Sequence, residues 1–369
     1  KKLISGFSYL FYFLPAALIS GPFLSDLIVS ILAIFFLFFT FKYKLWSYYN
    51  NYFTKFFLIF NIYLIISSIW ADNTLQSLKS SIPYIRFLLF TLSIAYLSNM
   101  NKNFYKLFFK FLFITLFFLI LDSYLQLIFG KNLLNQEINF TTDAYTQTMT
   151  IRVSGLFGDE LILGSYVSRT VFILLGFYLY FEKRVNIYFF ILFIMSAFII
   201  IFISGERLAF FIMIFCSLYI LIVIKNYRKF IISISLAVIF IISLITLSNE
   251  NIKNRMILSS FAFLNPDYKE YYKPPENFVI FSPDHHELYV AAYKMFLNKP
   301  ILGYGHDMYS QNCNDFKRSV SSCSTHPHNI LLQIGVENGI IGLLFLFIVY
   351  FYLFSKFIKN FLKKNTEIN

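Results

Sequence analysis

Five histidines occur in this 369-residue chain. Two of them, His326 and His328, flank Pro327 at the head of the apolar run "THPHNILLQIGVENGIIGLLFLF", residues 325–347. An imidazole is the side chain most easily poised as a proton acceptor near neutral pH. Taken alone, H-P-H-N with Asn329 reads equally well as a turn that starts a helix and leaves both rings solvated. His285 and His286 head a second stretch, "HHELYVAAYKMFLNKPILGYGHDM" (285–308). There Tyr289, Ala292 and Phe296 have the spacing of an amphipathic helix, and Pro300, Gly303 and Gly305 close it in a tight turn. The expected place of that helix is along the membrane surface.

Permanent cations form another set. "ISGERLAFF" (203–211) joins two apolar runs through a short turn, which puts Arg207 at or just below the headgroup level. Either it snorkels beside Glu206, or its planar fork clamps phosphate oxygens. "RVSGLFGDELILGSYVSR" (152–169) carries Arg152, Asp159, Glu160 and Arg169, with Gly155, Gly158 and Gly164 permitting close backbone approach. Arg169 falls inside the following apolar run, where a purely solvated guanidinium is hard to sustain. Arg152 and Arg169 read as contacts to an anionic ligand with Asp159 and Glu160 as counter-charges, or alternatively as a structural salt-bridge cluster.

The elements that carry these residues are hydrophobic. With 58% apolar side chains, 50 Phe and a mean hydropathy of +0.66, the chain is excluded from the soluble globular class and reads as an integral membrane protein. Apolar runs predict about ten transmembrane helices, near 6–20, 22–41, 56–71, 82–98, 104–128, 161–180, 187–203, 207–224, 229–248 and 330–354. Cations recur in alternate short loops: Lys42, Lys44 and Lys55; Lys102, Lys106 and Lys110; Lys183 and Arg184; Lys225, Arg228 and Lys229; and Lys356, Lys359, Lys363 and Lys364. Retention of such loops on the cytoplasmic side predicts both termini inside. The net charge of +12 then belongs to topology and to anionic membrane lipids, so no nucleic-acid partner is expected.

Two outer segments, 129–160 and 249–329, are too long to be simple connections. The second holds Cys313 and Cys323, whose C-x9-C spacing suits a disulfide on an oxidising face and is poor for zinc. Cys216 lies within a span and reads as a packing residue. The expected architecture is one all-α polytopic domain over 1–369, with an extracytoplasmic cap at 249–329 between the last two spans.

Taken in order, "RVSGLFGDELILGSY", "SGERLA", "NKPILGYG" and "HPHNILLQIGVENGIIGLL" resemble the O-antigen ligase and O-antigen polymerase superfamily of bacterial envelope proteins. The resemblance covers roughly 150–350; the first 130 residues match only as hydrophobic spans. It implies a glycosyltransferase of the inner membrane with its active site facing the periplasm. Glycan would pass from undecaprenyl diphosphate to lipid A-core, as in a ligase, or to a second lipid-linked repeat unit, as in a polymerase. It implies no cofactor and no metal. Carried onto this chain, Arg207 and Arg152 match the basic positions that hold the diphosphate. His328, beside Asn329, matches the histidine that assists the acceptor hydroxyl, with His326 its rival. Where many members have an arginine this chain reads "PDHHELY", so His285 or His286 stands in; Glu337 of "VENG" would orient the last helix or the acceptor. Attack opposite the carrier would invert the anomeric centre. A lipid-linked sugar transporter is the competing class, disfavoured because the charges gather near one face rather than at the bilayer midplane.

Overall fold

The computed structural model describes residues 2–142, 148–181, 187–223, 228–261 and 283–366. Lys183, Arg184, Lys225 and the middle of the long outer loop, 262–282, lie outside the described residues. Helices lie at nine of the apolar segments as α1 (Lys2–Ile19), α2 (Pro22–Tyr43), α3 (Tyr52–Ser68), α5 (Ile85–Met100), α6 (Phe104–Phe129), α7 (Leu163–Phe181), α8 (Ile187–Ile203), α9 (Arg207–Val223) and α10 (Arg228–Ser248), with a short α4 (Thr74–Ser81) before α5; the tenth, 330–354, falls within the last helix. The one-turn helices α11 (Glu250–Lys253) and α12 (Ser259–Phe261) follow, then α13 (Pro283–Asn298), α14 (Tyr309–Asn312) and α15 (Ile330–Thr366). In hydrocarbon every peptide group needs an internal partner, which a helix supplies along its own length. Among the described residues, six helical segments are long and apolar enough to cross a bilayer: Pro22–Tyr43, Tyr52–Trp70, Thr74–Met100, Phe104–Phe129, Ile231–Ser248 and Ile330–Lys359. The apolar helices at Leu3–Ile19, Leu163–Tyr178, Tyr188–Ile203 and Arg207–Ile222 are shorter. At 1.5 Å per residue such helices reach about 25 Å, less than the ~30 Å hydrocarbon layer.

The fold is mostly rather than wholly helical. Within the 129–160 loop, Asn139–Thr142 (β1) pairs antiparallel with Met149–Arg152 (β2), with Asn139 opposite Arg152. Nor does one span begin at residue 82: α4 comes first, and α5 starts only after Pro83.

Two compact units emerge, Lys1–Leu32 with Ile94–Lys273, and Ala33–Ser93 with Pro274–Asn369. The expected cap at 249–329 is therefore divided, with 250–261 in the first unit and 283–329 in the second. In the first unit, Leu116 and Leu119 of α6, Val167 and Val171 of α7, Ala197 and Ile200 of α8 and Met213 of α9 form one buried core. Gln126, fully buried near the end of α6, accepts from the amides of Ser154 (3.0 Å) and Gly155 (2.8 Å) and donates to the Glu137 carbonyl (3.1 Å). One side chain thus fixes the turn that follows β2, and with it Arg152.

The second unit is organised by a break in α15. Gly339 has φ +61° and ψ −163°, which interrupts the helical hydrogen bonding. The carbonyls freed there find other donors: Val336 accepts from the Tyr304 amide (2.9 Å), Glu337 from the Gly305 amide (2.8 Å) and Asn338 from the Tyr63 hydroxyl (2.6 Å), while the Ile340 amide donates to Pro300 (2.8 Å). The "NKPILGYG" turn therefore pairs, strand-like, with "VENG". Ser77 of α4 donates to the His306 carbonyl (2.9 Å) and to Ser68 of α3 (2.9 Å), which secures the far end of that turn.

A Cβ at Gly339 would run into the Ile301 carbonyl, in a backbone region that side chains rarely adopt. Gly339→Ala is expected to destabilise the protein by about 1–3 kcal/mol or more, whereas Gly176→Ala, in the open face of α7, is expected to be neutral. Thermal unfolding of the purified variants in detergent checks the contrast.

Candidate functional site

Two groups of chemically capable side chains are present, one in each unit. The first gathers at the turn between α8 and α9. Arg152, at the end of β2, donates through Nε to the Ser204 carbonyl (3.2 Å) and through a terminal nitrogen to Leu161 (3.2 Å). Arg255, in the single π-turn Asn254–Leu258, donates through Nε to the next carbonyl, that of Gly205 (3.1 Å). Gly205 sits between them with φ +72°; a Cβ there would lie 3.1 Å from Arg152 Cγ and 3.2 Å from Arg255 Cγ. The glycine of "SGERLA" thus lets two arginines grip consecutive carbonyls of one turn, immediately before Arg207.

Burial, then the neighbouring Arg255, push the Arg152 guanidinium down to about 10; Glu206 pulls the other way, and Arg207 adds a smaller lowering effect. Arg152 remains protonated at neutral pH, with Glu206 as the acid that acts on it. That carboxylate is already engaged, because Glu206 accepts from the amides of Gly164 (2.5 Å) and Ser165 (3.0 Å) and from the Ser165 hydroxyl (2.5 Å) at the start of α7. An acid at a helix N-terminus satisfies donors that the helix cannot. The planar guanidinium forks gathered at this turn have the geometry that suits a phosphate.

Several expected members are elsewhere. Asp159 and Glu160 are exposed, and the acid that acts on the arginines is Glu206 instead. Arg169 is exposed on α7, on the outward face its helical position dictates, and the charges acting on Arg152 are those of Arg255, Glu206 and Arg207. Arg255 went unread because "ENIKNRM" resembles ordinary loop; its signal was a cation just beyond the end of an apolar run, on the side where cations are otherwise sparse.

The second group surrounds the H-P-H-N turn. His326 and His328 have ring centroids 4.2 Å apart, and His285, from the first turn of α13, lies 5.7 Å from His328. His328 holds φ +51°, an uncommon conformation for a side-chain-bearing residue. Asn329 then caps α15, its Oδ1 accepting from the amides of Leu331 (3.0 Å) and Leu332 (3.2 Å). Burial, His326 and His285, in that order, lower the His328 pKa and favour its neutral form. His285 therefore belongs with the histidines. His286 is buried, 3% exposed, on another side of the same turn.

Helix α13 has Ala292 and Met295 fully buried with Val336 of α15. Its first turn is tied to the loop closed by the Cys313–Cys323 disulfide: Arg318 binds Glu287 through two nitrogens (2.7 and 3.2 Å), and Ser322 donates to the same carboxylate (2.8 Å). Glu337 is buried at the break of α15, where it accepts from the amides of Asp307 and Tyr309 and from Gln333 (3.2 Å). His306 Nδ1 is 3.7 Å from Glu337, beyond hydrogen-bond reach, and burial lowers the pKa of His306, so the two are neighbours rather than an ion pair. Among the described residues, no three His, Cys, Asp or Glu side chains are grouped to hold a metal ion.

Residues 188–347 match the family model described as O-antigen ligase. This stretch belongs to the O-antigen ligase superfamily. It contains Arg207 and Arg255 of the first group and all the histidines of the second, while Arg152 precedes it. No curated protein and no solved structure matches the chain. Together with its apolar helices, the match makes this a multi-pass membrane protein that carries an O-antigen ligase-like stretch at 188–347.

Removing the Glu206 carboxylate strands the first amides of α7. Glu206→Ala is expected to cost about 1–3 kcal/mol and Glu206→Gln less, since an amide oxygen still accepts. Unfolding of Glu206→Ala at the wild-type temperature would show the capping role to be wrong.

Proposed function

We propose that the protein transfers glycan from a polyprenyl-diphosphate carrier, undecaprenyl diphosphate in bacteria, to an acceptor hydroxyl at the periplasmic face of the inner membrane. The ligase reaction, with lipid A-core as acceptor, is favoured over repeat-unit polymerisation. The observation that carries the reading is the convergence of Arg152 and Arg255 on consecutive carbonyls of the Ser204–Gly205 turn, beside Arg207. A diphosphate leaving group gains negative charge as its bond to the sugar breaks, and fixed cations in a poorly solvated setting stabilise that charge.

In this reading Arg152, Arg207 and Arg255 hold the diphosphate. His328, kept neutral, accepts the proton of the acceptor hydroxyl. The acceptor oxygen bonds to the anomeric carbon as the bond from that carbon to the phosphate oxygen breaks, and the electron pair leaves with the diphosphate. Attack from the face opposite the carrier inverts the anomeric centre. His326 is the neighbouring imidazole, Asn329 fixes the start of α15, and Glu337 holds the break farther along that helix.

Complementation separates the acceptors. One bacterial strain lacking its O-antigen ligase and one lacking its polymerase, with a matched repeat unit, receive the protein, and lipopolysaccharide is resolved by gel. Capped lipid A-core in the first strain is the expected result; longer ladders in the second alone would assign a polymerase. His328→Ala should lower transfer by about 10²–10⁴-fold at equal expression, the contribution of a positioned base. Unchanged transfer by that variant would remove His328 from the chemistry.

A further inference from the structure

Resting on the reading of His328 as the base, we propose that His285 is its positioning partner, an imidazole held beside His328 to fix the ring and keep a proton off it, rather than a contact to diphosphate. His285 is placed by the first turn of α13, which is secured on three sides. Glu287 is held by Arg318 and Ser322 from the loop closed by Cys313–Cys323. Tyr289 hydrogen-bonds the side chain of Asn329, the residue after His328. One turn farther, Ala292 and Met295 are fully buried with Val336. These ties leave the imidazole of His285 little freedom to withdraw from His328, and they meet a turn whose residue His328 holds the left-handed conformation.

The rings are arranged for such a role. His285 meets His328 at 60° with centroids 5.7 Å apart, and Tyr289 supports the other side of His285 at 6.1 Å and 74°. His326 lies against His328 at 4.2 Å and is itself held by Thr325 at 2.9 Å. The titratable groups in this cluster are thus His326 from the turn, and His285 with its neighbour Tyr289 from α13. Burial raises the Tyr289 phenol, which stays neutral. The nearby carboxylate of Glu287 is committed to Arg318, and Asp284 is exposed. A proton on any one imidazole opposes a proton on the next, which agrees with the lowered pKa of His328.

The sign follows. A base works while neutral, so a lowered pKa preserves activity as the pH falls, until the pH drops through it. Loss of His285 removes one opposing imidazole, and His328 then protonates at higher pH.

The test uses the full-length protein in detergent. With only five histidines in the chain, selective isotope labelling of histidine and single His variants assign each Cε1–H signal by NMR. The His328 midpoint is expected to move to higher pH in His285→Gln, with wild-type thermal unfolding. His285→Phe, which keeps a ring but cannot titrate, should give the same direction. An unmoved His328 midpoint in both variants overturns the proposal.

Transfer kinetics, with the substrates that complementation identifies, separate this inference from the one beneath it. His285→Gln should lower kcat several-fold and shift its acid limb to higher pH, leaving the donor KM unchanged. A raised donor KM with an unmoved acid limb would return His285 to the diphosphate. If His328→Ala keeps its turnover, the base assignment itself fails; if it loses turnover while the profile of His285→Gln matches wild type, only the partnership fails.

Discussion

A peptide carbonyl without a partner in hydrocarbon costs several kcal/mol, and this chain frees such carbonyls at two places where its helices stop. At the α8–α9 turn the carbonyls of Ser204 and Gly205 are taken by Arg152 and Arg255. At the break in α15 the carbonyls of Val336, Glu337 and Asn338 are taken by Tyr304, Gly305 and Tyr63. The same demand has two chemical outcomes. In the first unit it draws guanidinium groups together, against their mutual repulsion. In the second it ties the loop after α13 to the last helix, whose start presents the histidines.

The arginines illustrate how a structural need and a binding capacity coincide. Each uses its Nε on the backbone, and that contact fixes the direction of the fork. Glu206, the acid in the midst of them, is hydrogen-bonded to the amides of α7 and still pulls against the lowering of the Arg152 pKa. That depressed pKa records burial and crowding and leaves Arg152 charged at physiological pH. In the proposed function an anion with several oxygens, such as a diphosphate, answers this clustering better than a single carboxylate can.

Helical membrane architecture was legible in the sequence because a hydrocarbon environment forces long apolar runs, and the positions of ten helical segments followed from that alone. The hairpin at 139–152 was not, because two four-residue strands have too few residues for alternation to stand out. "NKPILGYG" and "VENG" were visible as separate motifs, but their pairing depends on a helix break that no local preference announces. Arg152, Arg207 and His328 were readable from their positions beside apolar runs. Arg255 was hidden, since the partner of its Nε is a backbone atom distant in the chain, and the neighbourhood of His285 and His328 was not visible because 43 positions separate them in sequence. Asp159, Glu160 and Arg169 read alike with Arg152 in sequence; the structure sets those three apart by leaving them exposed.

The most direct measurement is the affinity of the purified protein for undecaprenyl diphosphate and for undecaprenyl monophosphate, by native mass spectrometry, in wild type and in Arg255→Gln. The account predicts tighter binding of the diphosphate by wild type. It also predicts that Arg255→Gln loses about tenfold or more of that affinity, the worth of one charge-assisted hydrogen bond, while its unfolding temperature shows the fold intact. Equal affinity for the two lipids, unchanged by the substitution, would contradict it.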